Sequence, residues 1–332
     1  MSAVLEVLFF DAAPSPAPGA ENCTDVSVIL PAGFTLQSGE KLSKPELRLR
    51  LFGPDGAPVI VVSGGISAGR DVADGAGAAG WWRGVVAPGG AIDTQALRVI
   101  GFDFLPNAGE TARTITTNDQ ARALAFALDA IGVSRLRAFV GASYGGMLGL
   151  AFAQAFPERV ERLCVISAAD RPHAASTAVR GVQRRIVEFA TRAGDPAAGL
   201  SLARQLAMTT YRTPEEFEAR FAHRPGAAAG DPYPVCEYLI ARGDAYAMAP
   251  ERFVTLSDSI DRHAADPAKI QSKALFVAVT SDRLVPAADT RRLAGAAPDA
   301  RYAEITSQFG HDAFLKEAAV LAPLIETFIA KD

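Results

Sequence analysis

Cysteine is scarce: three in 332 residues, at 23, 164 and 236, odd in number and with no C-x-x-C pair. That argues against a disulfide framework and a thiolate zinc site, and no metal is expected. There are only four histidines, so any search for a base is confined to His173, His223, His263 and His311. No basic residue precedes Lys41, and the opening therefore lacks both the cationic region of a secretory signal and the arginines of a transit peptide. A cytoplasmic protein is expected. The first apolar piece, Val4 to Phe10, is interrupted by Glu6 and is too short to span a bilayer. Pro14, Pro16 and Pro18 suggest an extended lead-in after it. A net charge of −4, with no Lys/Arg cluster interleaved with aromatics, excludes the electrostatic footprint of a nucleic-acid binder. No internal repeat is present.

What the chain does have is apolar mass, 49% of its residues, in a rhythm of strand and helix. Near-continuous apolar runs occur at "PVIVVSGG", "ALRVIGFDFL", "LRAFVGAS", "ERLCVISAAD" and "KALFVAVTSD", with the more alternating "ARYAEITSQ" as a sixth. Runs of this kind are buried on both faces, which implies a parallel sheet. "DVSVIL" and "ELRLRLFG" alternate more and predict an antiparallel edge. Helical patterns lie between, such as "TTNDQARALAFALDAIG", capped by its Thr/Asn/Asp lead and ended by Gly132. The fold class expected is α/β with a doubly wound, mostly parallel sheet. From about Arg171 to Ala268 the pattern is helical only, and strand signal resumes at Lys273. This reads as residues 1–170 and 269–332 forming one core, with 171–268 inserted as a helical lid before a late strand.

"FVGASYGGM" breaks a strand pattern at a serine wedged among glycines and continues as a helix. A G-x-S-x-G in that setting is a nucleophile elbow, which lifts a serine Oγ clear of the sheet. A serine hydroxyl needs a base held by a carboxylate. Of the histidines, His311 in "QFGHDAFL" lies in a loop after the last strand pattern, whereas the other three fall in the helical insertion, where a solvated surface position is expected. Asp282 ends the strand "ALFVAVTSD", at the carboxyl edge where α/β sheets gather ligands. Ser143, Asp282 and His311 are therefore the expected triad. The oxyanion hole is expected from the N–H groups of Tyr144 and of Ile66, the latter in the loop "SGGISAGR".

With those residues placed, the chain resembles the MetX-type homoserine O-acyltransferases, enzymes of methionine biosynthesis with the α/β-hydrolase fold. The likeness runs from about Pro58 to Leu315, through "GWWRGVVAPGGAIDTQALRVI", the stretch leading into the elbow, and "VQRRIV", "TTYRTPEEFEARF", "YLIARGD", "TSDRLVP" and "GHDAFL" in the family's order. Tyr144 replaces the family's usual Met, and "GGISAGR" its usual oxyanion loop. The resemblance implies acyl transfer from an acyl-CoA to L-homoserine, with small-molecule substrates, no cofactor, and a homodimer packed through the lids. It implies that Tyr211, Arg212 and Asp312 hold the amino acid. For the acyl group, Leu284 follows the acetyl pattern, while Arg283 and Arg70 would neutralise a succinyl carboxylate. The reading leans to succinyl. A serine hydrolase of the same fold and a serine O-acyltransferase are the alternatives, and a non-catalytic ligand-sensing scaffold has no need of nucleophile, base and acid together.

Overall fold

The computed structural model describes residues 23–75, 77–110, 113–222 and 233–330. The proline-rich opening and His223 fall outside the described residues. Three strands begin the described chain: β1 (Cys23–Ile29), β2 (Glu46–Phe52) and β3 (Val59–Ser63). A two-residue parallel ribbon follows, β4 (Val86–Ala87) with β5 (Ile92–Asp93). Then come β6 (Arg98–Phe102), β7 (Leu136–Ala142), β8 (Val160–Ile166), β9 (Lys273–Val279) and β10 (Ala300–Ile305). All but the ribbon form one sheet in the order β1-β2-β6-β3-β7-β8-β9-β10. β2 runs antiparallel to both of its neighbours, and every pairing from β6 to β10 is parallel. The alternating early segments thus form the antiparallel edge, and the continuous apolar runs form the parallel centre.

Side chains alternate across the sheet. Phe139, Leu163 and Phe276 enter the core on one face, while Ala138, Val140, Cys164 and Val277 enter the core on the other. Helices cover both sides. On the first lie α1 (Thr117–Ala130) and α2 (Tyr144–Ala155). α1 begins at a capping box, in which the Thr116 hydroxyl accepts from Asp119 N and the Asp119 carboxylate accepts from Thr116 N.

Between β8 and β9 the chain forms α3 (Ala174–Arg192), α4 (Pro196–Tyr211), α5 (Pro214–Phe221), α6 (Pro234–Asp244) and α7 (Pro250–Asp261). Proline at the first helical position starts four of these, where its missing N–H has no intrahelical partner to lose. The C-terminal part holds α8 (Ala287–Ala296), the short α9 (Ala313–Lys316) and α10 (Ala318–Ile329), whose Leu321, Ile325 and Phe328 pack on the second face.

One expectation is corrected here. His263 is not a solvated surface residue: it is buried, its Nδ1 lies 2.8 Å from the Thr117 hydroxyl, and burial pushes its pKa down to about 4. The uncharged ring joins the end of the insertion to α1. His173 is exposed, as expected. Among the described residues no helix is long and apolar enough to cross a membrane.

Candidate active site

β7 delivers Ser143 into a backbone conformation of φ 54°, ψ −122°, a left-handed turn that non-glycine residues seldom adopt. Three backbone bonds hold it: Ser143 N donates to Ile166 O on β8 at 2.9 Å, and Gly146 N and Met147 N donate to Ser143 O at 3.0 and 3.1 Å. The glycines are there for space. A Cβ on Gly141 would overlap the Gly145 carbonyl, and one on Gly145 would overlap the Ser63 carbonyl. Strained backbone of this kind persists only where its surroundings over-determine it.

The hydroxyl of Ser143 lies 2.8 Å from His311 Nε2, and His311 Nδ1 lies 2.7 Å from Asp282 Oδ2. Since the carboxylate can only accept, Nδ1 carries the proton and Nε2 is free to accept from the serine. His311 sits on a 3-10 turn, Gly310–Asp312, whose next segment is anchored by Trp82 Nε1 donating to Phe314 O at 2.8 Å. Asp282 is fixed by its other oxygen, which accepts from Leu284 N at 2.9 Å and Val285 N at 3.0 Å. Burial alone would push the His311 pKa down. The charge and hydrogen bond of Asp282, with Asp312 adding to them, outweigh burial and hold it above its usual 6.5.

Tyr144 N–H is the first of α2, has no helical acceptor behind it and lies at the positive end of the helix dipole, and Tyr144 lines the cavity. Ile66 N–H lies on the facing loop, and neither group donates to any described residue. Two donors are thus available to a developing oxyanion. The segments that carry them are both tied to the helical insertion: the Tyr144 hydroxyl at the start of α2 lies 2.7 Å from Ser259 Oγ on α7, and Ser67 Oγ, next to Ile66, lies 2.9 Å from the Tyr246 hydroxyl after α6. The Tyr144 ring also stands edge-on to Phe104, with centroids 4.9 Å apart.

Above the serine is a cavity of about 240 Å³, walled by the loop at Gly65–Ala68, the insertion, and the segment after β9. Tyr211, Asp312 and Leu284 line it as expected. Three expected cations do not. Arg212 is 4% exposed, ion-paired with Glu216 and 3.3 Å from Asp312 through Nε, and it stands behind Asp312 rather than in the lining. Arg70 is held by Asp103, with Asp25 near, and Arg283 is exposed to solvent. Neither reaches the cavity wall.

The cations that do line it are Arg204 and Arg180, which sequence reading missed. Arg204 is stacked between the rings of Tyr211 and Tyr246, 5.2 and 4.7 Å from their centroids, and forms no ion pair among the described residues. Arg180 and Arg184 share a single carboxylate, Asp261, which leaves one positive charge uncompensated in that trio. The signal for both was helical phase: Arg204 lies two turns before Tyr211 on one face of α4, and Ser176, Arg180 and Gln183 follow one another at spacings of four and three on α3. Asp312, 14% exposed at its side chain, has its pKa raised by burial despite the opposing pull of Arg212, His311 and Arg204.

Residues 57–318 match the alpha/beta hydrolase fold family. A homoserine O-succinyltransferase of Xanthomonas campestris pv. campestris is 44% identical over 290 residues, covering 85% of this chain and 79% of the relative. A homoserine O-acetyltransferase of Thermus thermophilus is 32% identical, covering 76% and 73%. Among solved structures, esterase E22 superposes with a TM-score of 0.82 at 19% identity, covering 93% of this chain and 100% of that one, a likeness of fold.

Proposed function

Because the chain belongs to the homoserine O-acyltransferases of the α/β-hydrolase fold, we propose that it transfers a succinyl group from succinyl-CoA to the hydroxyl of L-homoserine by way of an acyl-enzyme on Ser143. Ser143 Oγ attacks the thioester carbonyl while His311 Nε2 takes its proton, and the oxyanion is received by Tyr144 N–H and Ile66 N–H. Collapse breaks the C–S bond, and His311 returns the proton to the departing thiolate. Homoserine then enters, its hydroxyl oxygen attacks the acyl carbonyl as His311 takes its proton, and when the ester bond to Ser143 breaks His311 returns that proton to Ser143 Oγ. The helical insertion excludes the water that would otherwise hydrolyse the intermediate.

The observation that carries acyl transfer to an amino acid is the pair Arg204 and Asp312, opposite charges lining the same cavity as Ser143. A guanidinium with no carboxylate of its own receives an α-carboxylate, and a carboxylate whose burial disfavours its charge receives an α-ammonium. An esterase has no use for such a pair. For the donor, a second carboxylate on the acyl group has to be desolvated and needs a cation, and the uncompensated charge of the Arg180, Arg184 and Asp261 trio supplies it.

The test follows CoA-thiol release from succinyl-CoA and acetyl-CoA, with and without homoserine, in the wild type and in Arg180→Leu. Release should require homoserine and favour succinyl-CoA, and the substitution should lower the succinyl-to-acetyl ratio of kcat/KM by roughly a hundredfold. Homoserine-independent release at the same rate would mean hydrolysis. Equal stimulation by serine would reassign the acceptor, because one methylene discriminates by only about 1–3 kcal/mol.

The insertion also exposes apolar side chains on one face, Phe189 at 70% and Leu202 at 54%, beside a groove lined by Val182 and Ile186. We infer that two copies associate there. Sedimentation equilibrium should give a dimer for the wild type and a monomer for the double variant Phe189→Asp, Leu202→Asp, and a wild-type monomer at micromolar concentration would refute the inference.

A further inference from the structure

Six serine and threonine residues line the cavity, and five of their hydroxyls have partners among the described residues. Ser143 meets His311, Ser67 meets Tyr246, Ser176 donates to Leu284 O, Thr210 to Ala207 O, and Ser257 accepts from Arg184. The sixth is Ser167. It is 1% exposed, and its Oγ has no hydrogen-bond partner among the described residues. A buried hydroxyl in that state is destabilising and uncommon, and it calls for an explanation.

Its backbone is equally unusual. Ser167 follows β8 directly with φ 50°, in the left-handed region, and its N–H is fixed to Val277 O on β9 at 3.0 Å. In the parallel pairing of β7 with β8, Ala142 is opposite Ile166, so Ser167 is the residue beside Ser143 on the adjoining strand. Neighbouring strands lie about 4.8 Å apart. The far carboxylate of a succinyl group stands three carbon–carbon bonds, each about 1.5 Å, from the carbonyl carbon bound to Ser143. Extended, that is about 3.9 Å, so with a hydrogen bond of about 2.8 Å beyond it the group crosses the gap between the strands, whereas the methyl of an acetyl group stops one bond out and carries no acceptor.

We propose that the Ser167 hydroxyl donates a hydrogen bond to the far carboxylate of the acyl group, and is thereby a residue that selects a dicarboxylic acyl donor over acetyl. The inference rests on the succinyl transfer proposed above and adds a second contact to the charge supplied near Arg180. Ser167 lines the same cavity as Ser143.

Ser167→Ala and Ser167→Gly separate the hydroxyl from the backbone. Both delete the hydroxyl, and glycine alone also relieves the left-handed strain, so that it keeps the fold accessible if alanine does not. With homoserine saturating, the ratio of kcat/KM for succinyl-CoA to that for acetyl-CoA should fall about tenfold in each folded variant. If either folded variant keeps the wild-type ratio, the hydroxyl does not contact the acyl group and the proposal is overturned. A wild-type enzyme that uses acetyl-CoA alone also overturns it. Failure of the wild type with both donors would instead remove the acyl-transfer reading on which it rests.

Discussion

Ser143→Ala should lower homoserine-dependent CoA release by on the order of 10⁴-fold or more and abolish the acyl-enzyme altogether. Among the described residues no other hydroxyl is hydrogen-bonded to His311, so none is activated to take over. The cavity is lined by no cysteine, and Cys164, the buried thiol of β8, lies in the opposite core cluster with its pKa pushed up to about 12. What remains after the substitution is the oxyanion pair and the bound substrates, enough for slow direct attack by homoserine. Alanine suffers the same left-handed backbone as serine, so the loss is chemical rather than structural, which an unchanged thermal melt will show. Intact-mass spectrometry after mixing with succinyl-CoA alone gives the decisive reading: an adduct on the wild type and none on the variant. A variant that keeps a tenth of the wild-type rate would rule out the covalent route.

Asp282→Asn should cost nearly as much, about 10⁴-fold in kcat, because the amide can keep the bonds from Leu284 N and Val285 N but presents its own N–H to His311 Nδ1. The imidazole proton is then forced onto Nε2, where a lone pair is needed to accept from Ser143. The pH profile adds an independent test. His311 works as a base only when neutral, and its raised pKa means that wild-type activity is lost as pH falls through a value above 6.5. Removing the Asp282 charge leaves burial as the dominant influence, which lowers the pKa. The residual activity of Asp282→Asn should therefore hold to lower pH than that of the wild type. An acidic limb that does not move would show that Asp282 does not set the base.

The sheet and the triad were legible because each rests on local pattern. Continuous apolar runs gave the parallel strands, and the glycines around Ser143 gave the elbow. With four histidines in the chain, only one of them beyond the last strand pattern, His311 followed. The cavity's cations were not legible, and the reason is directional. A sequence shows that Arg70, Arg180, Arg204, Arg212 and Arg283 are charged, but which of them faces the serine depends on how five helices dock over the strand ends. Arg212 looked available beside Tyr211, yet Glu216, one turn on, and Asp312, a hundred residues on, surround it. Arg204 drew no reading from the sequence, because its place is defined by two tyrosines from separate segments that meet its faces only in the fold. His263 failed in the same way, since its partner Thr117 lies on the first helix.

Tyr144–Ser259 and Ser67–Tyr246 join the two segments bearing the proposed oxyanion donors to the roof above them. Roof and anion site are therefore one mechanical assembly. If the helices moved far enough to admit bulk water, the hydroxyl ties that hold both donor segments would loosen with them, and the wet state would be the poorly catalytic one. In the transfer proposed above, an acyl group on Ser143 would then be guarded twice, by exclusion of water while the roof is down and by a slackened anion site while it is up. In a fold shared with esterases, that linkage offers a physical route by which the same triad passes its acyl group to an amino acid before water can claim it.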